Sequence, residues 1–194
     1  MSSNFRVPKA ELTGLYGKAV ASFARRTYGQ IPDKVYVLWH HRKGLWATFG
    51  FERRVAKFDS LDANLKTLAV MSSAAVIGCS WCLDFGYYMA HHEGLDVDKV
   101  REVPRWRSST AFTDLEREVM DYSEAMTETP MRVSDEMVSS LSAQLGVPAV
   151  VELTQMVALE NERSRFNSAM GLASQGFSDV CELPLATAGA AEVP

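Results

Sequence analysis

The sequence predicts an all-α fold, and three observations carry that expectation. Apolar residues recur mainly at helical spacing, no Asn-Gly or Asp-Gly turn separates alternating runs, and capping residues, glycines and prolines fall where helices would start and stop. About seven helices follow. The first runs from about Lys9 to Tyr28 and is closed by Gly29. The stretch from Asp33 to Lys57 reads as two short helices broken near Arg42 to Gly44. Asp62 caps the next helix, which carries Leu65, Leu68, Ala69 and Val76 and stops at Gly78. A helix opening at Cys79 then reaches about Glu93, with Gly94 suited to its left-handed end. A short helix follows Asp96 before Pro104. Thr113 with Glu116 three residues on forms a capping box for a helix to Thr127. Ser134 with Met137 is a weaker start for a helix to Leu145, and Pro148 suits the first turn of a long last helix reaching about Gly171.

With 20 Lys+Arg against 24 Asp+Glu among 194 residues, the net charge of −4 excludes a general nucleic-acid coat or a polybasic membrane binder. A composition of 47% hydrophobic and 23% charged residues is that of a globular chain and not of a disordered one. No linker-like stretch divides it, so one domain is expected over 1–183, followed by a short Ala-rich tail, 184–194, expected to be mobile. Met1 to Pro8 lacks the apolar core of a signal peptide, which gives a cytoplasmic expectation. The uncharged run Thr67 to Leu83 falls short of the roughly 18–20 residues of a membrane span. It also contains Ser72, Ser73, Gly78 and Ser80, so it reads as a helix buried in the protein core.

Three cysteines make no disulfide framework, but two of them stand as Cys79-Ser80-Trp81-Cys82. At a helix start, unpaired backbone N–H groups and the helix dipole stabilise a thiolate, and a second thiol one turn along resolves an oxidised partner into an internal disulfide. Inert packing and half of a zinc site are the other uses of such a pair. His91-His92 and His40-His41 do not complete a metal cluster in sequence, so no metal is expected. On a helical wheel, Phe85, Gly86, Met89 and Glu93 share the face of Cys82. Together with Trp81, the first three are candidates to line a pocket. A mid-helix glycine signals close approach by a backbone or a ligand, or simple tolerance of a small residue. Asp84 falls on the opposite side.

Along the last helix, Leu153, Val157, Glu160, Ser164 and Asn167 form one stripe, placing a carboxylate and an amide where an apolar face belongs. A buried carboxylate must be paired or have a raised pKa. Arg163 and Arg165 point away on the wheel, which leaves Glu160 two roles: an ion pair with an arginine of another helix or subunit, or a proton acceptor. Glu160 and Asn167 are thus candidates for a proton relay or substrate anchor, and His40 and His41 are the next.

These residues carry a resemblance. The segments His40-His41-Arg42-Lys43-Gly44-Leu45, Leu61 to Lys66, the CxxC helix through Gly94-Leu95, Glu118 to Thr127 and Glu160 to Asn167 are similar to the carboxymuconolactone decarboxylase family, in its AhpD-like alkylhydroperoxidase branch. The resemblance implies a compact helical bundle with the CxxC at the start of a central helix, assembled into a homo-oligomer, a trimer or larger. It further implies a thiol oxidoreductase that cycles Cys79 and Cys82 between dithiol and disulfide, with no cofactor beyond that pair. Its partners would be a small organic hydroperoxide or a disulfide electron donor, with neither nucleic acid nor membrane. The family's peroxidase pattern places a glutamate twelve residues before the first cysteine, a histidine just before the second and another four residues after it. Here Thr67, Trp81 and Gly86 stand at those places, so the usual proton relay is absent. A lyase on a small cyclic carboxylic acid, served by Glu160, Asn167 or a histidine, and a non-catalytic oligomeric binding protein are the alternatives.

Overall fold

The structure is a computed structural model that describes residues 3–181 and 185–186. Among the described residues it contains nine α-helices and no strand. They are α1 (Gly14–Tyr28), α2 (Asp33–Leu38), α3 (Arg42–Val55), α4 (Ala63–Ile77), α5 (Ser80–His92), α6 (Val97–Val100), α7 (Asp114–Thr127), α8 (Asp135–Leu145) and α9 (Val147–Ala169). Each segment expected from the sequence is present, and counting the short ones separately, α2 ahead of the 3-10 turn Trp39–His41 and the four-residue α6, brings the total to nine and not seven. The break therefore falls ahead of Arg42, and Gly44 lies inside α3.

The uncharged run covers most of α4 and passes through Gly78 into the first turn of α5. The hub is α4. It is packed among α5, α7 and α9 and buries Leu65, Leu68, Ala69, Met71 and Ala74 on more than one face, which is why it has no charged side beyond its first turn. Its two serine hydroxyls are satisfied internally: Ser73 donates to the Ala69 carbonyl at 3.0 Å and Ser72 to the Met120 carbonyl at 3.4 Å. Leu65, Ala69, Val119, Leu141, Leu153 and Val157 close one core cluster between α4, α7, α8 and α9. No helix among the described residues is long and apolar enough to cross a membrane.

Caps set the ends. Asp62 accepts the N–H groups of Asn64 and Leu65 at 2.9 and 3.2 Å, and Thr113 and Glu116 form the full capping box. Gly78 stands at φ +76°, so the chain reverses at once and α5 begins two residues later, at Ser80, with Cys79 as its N-cap. The first helix starts at Gly14 and not near Lys9. Gly14 stands at φ +74°, and the Leu12 backbone passes so close to Gly17 that a Cβ there would be 2.4 Å from its carbonyl carbon. The segment 9–13 therefore runs across the helix instead of continuing it.

After α9 the chain folds back over α5. A Cβ at Gly171 would lie 2.0 Å from the Asn4 carbonyl oxygen, because Asn4 and Arg6 donate their N–H groups to Gly171 and Met170. A short 3-10 turn, Phe177–Val180, then lies on α5. Of the segment expected to be mobile, Leu185 packs against the cluster of Leu68, Met71, Tyr87 and Val103, and Ala186 donates its N–H to the Arg101 carbonyl. Residues 184 and 187–194 of that segment lie outside the described residues.

Candidate active site

Cys79 and Cys82 are joined by a disulfide across the first turn of α5, with Cα atoms 5.3 Å apart. Both are buried, at 2% and 8% exposure, Cys79 being the deeper. The reason is local. Cys79 sits at the α4–α5 corner, where its N–H is held by the Ala74 carbonyl, while its Sγ accepts the Cys82 N–H at 3.2 Å. That contact and the open N-terminus of α5 favour negative charge on Cys79 when the pair is reduced.

The Cys82 sulfur faces α9. Ser164 Oγ lies 3.2 Å from Sγ and 2.6 Å from Glu160 Oε1, and Asn167 Nδ2 donates to Sγ at 3.3 Å. The i, i+4, i+7 spacing on α9 aligns all three on the stripe seen in the sequence. Ser164 has one hydroxyl proton, so its direction depends on the carboxyl behind it. When Glu160 is ionised, Ser164 donates to it and leaves its lone pairs toward the sulfur. When Glu160 is protonated, Glu160 donates to Ser164 and Ser164 donates to Sγ.

Glu160 is 2% exposed, and burial pushes its carboxyl up to about 7 against the opposing pull of Arg163 and the Ser164 hydrogen bond. Arg163 Nη1 reaches Glu160 Oε2 at 3.4 Å. This corrects the wheel, on which Arg163 pointed away: a long side chain spans i to i+3 along the helix. Its remaining nitrogens are held by Glu52 of α3, through Nε at 2.8 Å and through Nη2. Because Glu52 takes the two-pronged contact, Glu160 receives only the end of the guanidinium and stays close to neutral-pH titration. Nearby Lys34 is pushed down by burial, lies over the Phe166 ring and stands 4.0 Å from Glu162.

Other sequence candidates lie elsewhere. His40 is exposed, with Nε2 2.7 Å from the Pro8 carbonyl oxygen, and His41 is exposed against Gly44. Neither is joined to the sulfurs. Trp81 and Phe85 stack at 5.0 Å and meet the edge of Phe177, and Trp81 Nε1 donates to Gln175 Oε1 at 2.8 Å. Met89 packs in the same cluster. Gly86 points away from these rings: a Cβ there would meet Met71 Sδ at 2.5 Å, so its close neighbour is a core side chain, not a backbone or ligand.

Two residues carry more than the sequence suggested. Ser164 was visible on the stripe without a role. Asp84, opposite Cys82 as the wheel placed it, accepts the N–H groups of Gln175, Phe177 and Ser178 at 2.9, 3.1 and 2.8 Å and the Ser178 hydroxyl at 2.7 Å. Burial pushes its carboxyl up, but these hydrogen bonds outweigh burial and hold it below the ordinary value. Asp84 thereby ties the returning segment across the CxxC helix. Its mid-helix position gave no sign of partners more than ninety residues away.

A buried CxxC pair opening a helix, in a bundle of this topology, defines a class, and the chain belongs to the carboxymuconolactone decarboxylase family, with an AhpD-like fold. The family model matches residues 43–125. The uncharacterized protein YnjA of Escherichia coli (strain K12) is 30% identical over 174 residues, covering 87% of this chain and 85% of its own. Among solved structures, the alkylhydroperoxidase AhpD core protein of Ralstonia eutropha JMP134, described as peroxidase-related, superposes with a TM-score of 0.75 at 15% identity, covering 93% of this chain and 97% of the other. The debrominase Bmp8 superposes with a TM-score of 0.72 at 18% identity, covering 84% and 87%.

Proposed function

We propose that the chain is a thiol oxidoreductase that reduces a hydroperoxide by cycling Cys79 and Cys82 between dithiol and disulfide, with Glu160 and Ser164 as its proton relay. One observation carries this reading: Ser164 Oγ bridges the Cys82 sulfur and a buried carboxyl that titrates near neutrality. The relay glutamate and histidines of the family's peroxidase pattern are replaced by Thr67, Trp81 and Gly86, and α9 supplies a carboxyl and a hydroxyl instead.

In the reduced state Glu160 takes the Cys82 proton through Ser164, leaving a thiolate that the Ser164 hydroxyl and Asn167 Nδ2 face. The thiolate attacks the terminal peroxide oxygen, the O–O bond breaks, and the leaving alkoxide takes the proton back along the same path. Cys82 then carries a sulfenic acid. The Cys79 thiol displaces it as water and forms the disulfide, which a dithiol donor reduces. The wiring of Glu160 to a sulfur favours this reading over a lyase, whose base would serve its substrate without a thiol. Tyr16, Phe23, Trp46 and Phe49, exposed together on α1 and α3, support a homo-oligomer as its working form.

The test is mass spectrometry of purified protein through cycles of hydroperoxide and reductant, with peroxide consumption followed in parallel. Cys79 and Cys82 are expected to interconvert between thiols and one bond, Cys82→Ser to abolish consumption, and Ser164→Ala to slow it by about 10²-fold, at the low end of general acid–base effects. Full activity in both Cys79→Ser and Cys82→Ser would refute it.

A further inference from the structure

Asn167 has no exposed surface, and its two amide ends are treated differently. Nδ2 donates to Cys82 Sγ at 3.3 Å, whereas Oδ1 is buried with no hydrogen-bond partner. Buried amide oxygens are almost always paired, and one left bare beside a reactive sulfur is a vacant acceptor for a group that donates. The covalent geometry of a carboxamide puts Oδ1 only about 2.2 Å from Nδ2. A hydroxyl bound to Oδ1 at about 2.8 Å is therefore held in the neighbourhood of the same sulfur that Nδ2 touches, from where the roughly 3–3.5 Å of a near-attack arrangement can be reached.

The structure provides the other requirements on the same face of α9. Ser164 and Glu160 approach Cys82 one turn earlier, so an oxygen held by Asn167 and a returning proton reach the sulfur from adjacent turns of one helix. Cys82 is only 8% exposed, which restricts the occupant to a small or slender molecule. Few such molecules carry a hydroxyl donor on an oxygen that is itself electrophilic. A hydroperoxide does, in its terminal O–H.

We infer that the Asn167 carboxamide is the hydroperoxide-binding group of the Cys82 site: Nδ2 steadies the sulfur, and Oδ1 accepts the terminal O–H of hydrogen peroxide or a small alkyl hydroperoxide. This rests on the thiol oxidoreductase reading above and adds to it the group that touches the substrate. The step balances. Cys82 thiolate, ROOH and the Glu160 proton delivered through Ser164 become Cys82 sulfenic acid, ROH and Glu160 carboxylate. The S–O bond forms as the O–O bond breaks, sulfur is oxidised by two electrons and the peroxide is reduced by two. The hydrogen on Oδ1 stays in place, passing from the peroxide hydroxyl to the sulfenic acid hydroxyl. Asn167 is on this account a catalytic residue that selects electrophiles bearing an O–H.

The test separates substrate recognition from sulfur activation. In the full chain carrying Cys79→Ser, Cys82 is reacted with hydrogen peroxide, its sulfenic acid being trapped with dimedone. In parallel it is reacted with methyl methanethiosulfonate, a small electrophile with no N–H or O–H donor. The ratio of the two second-order rates reports the acceptor role, because any change in thiolate nucleophilicity enters both. Asn167→Ala is expected to lower the ratio at least tenfold. Asn167→Asp, which keeps an acceptor oxygen but repels the thiolate, is expected to slow both reactions while keeping the ratio within threefold. A ratio unchanged in Asn167→Ala overturns the inference, leaving the amide to act on the sulfur alone or to hold water. A tenfold fall in Asn167→Asp overturns it too, and decides the matter should the alanine variant fail to fold. Cys82 that reacts with methyl methanethiosulfonate but not with peroxide in the parent Cys79→Ser chain would instead refute the oxidoreductase reading itself.

Discussion

Replacing Glu160 with glutamine removes a buried carboxyl that titrates near neutrality, and its effect on stability has a definite sign. The ordinary carboxyl value is 4.5, and the folded value is about 7 because burial disfavours the charged form. Above about pH 4.5 the unfolded chain has released this proton while the folded chain still holds it. The folded state thus binds more protons between the two values, and stability falls as pH rises through that window. The separation corresponds to about 3 kcal/mol when complete. In Glu160→Gln the cost disappears. Arg163 stays charged throughout and stays paired with Glu52, so any loss of its contact with residue 160 enters as an offset independent of pH. Urea unfolding of the disulfide form at pH 4.5 to 8 is the assay. The stability of the variant minus that of the parent is expected to climb by about 3 kcal/mol across the window and to be level above it. Two curves that stay parallel throughout would show that Glu160 carries no raised proton affinity, and the relay argument would lose its base.

Asp84→Ala strips the acceptor from three backbone N–H groups and is expected to destabilise the chain by about 3 kcal/mol, with faster proteolysis in 171–181. An unchanged cleavage rate there would dismiss its fastening role. Because the Asp84 carboxyl is held below its ordinary value, its contribution is present above about pH 4 and is lost as pH falls through the folded value. The parent's acid unfolding midpoint should therefore lie above that of a variant lacking this carboxylate once both are normalised to their neutral-pH stabilities. Leu153→Ala, at a fully buried position in the α4–α7–α9 core, should cost about 3 kcal/mol and lower Tm by roughly 10 °C. A Tm within 2–3 °C of the parent would mean that this core repacks around the gap.

Features set by neighbours in sequence were legible in it. The Asp62 and Thr113 caps, the glycines at 29, 78 and 94, and Pro148 in the first turn of α9 each act within one helical turn, and each falls where the sequence placed it. The Glu160–Ser164–Asn167 stripe was legible for the same reason, since a period of 3.6 residues fixes a common face. What the stripe meets was not. Cys82 lies 82 residues from Ser164, and Glu52 lies 111 from Arg163, and no local pattern records such pairings. Arg163 was misplaced because a wheel treats side chains as directions, whereas a guanidinium on a long stem reaches back a turn. His40 and His41 drew attention by residue type alone, and the turn after α2 carries them to the surface.

The polar groups around Cys82 come from a helix made long after the cysteines themselves. At roughly 5–20 residues per second, the ribosome delivers Ser164 and Asn167 on the order of ten seconds after Cys82. During that interval the nascent chain carries two thiols without the hydroxyl, amide and carboxyl that α9 supplies. Their chemistry is then that of ordinary cysteines, and the reactivity argued for the finished protein is acquired only when its final helix is laid down.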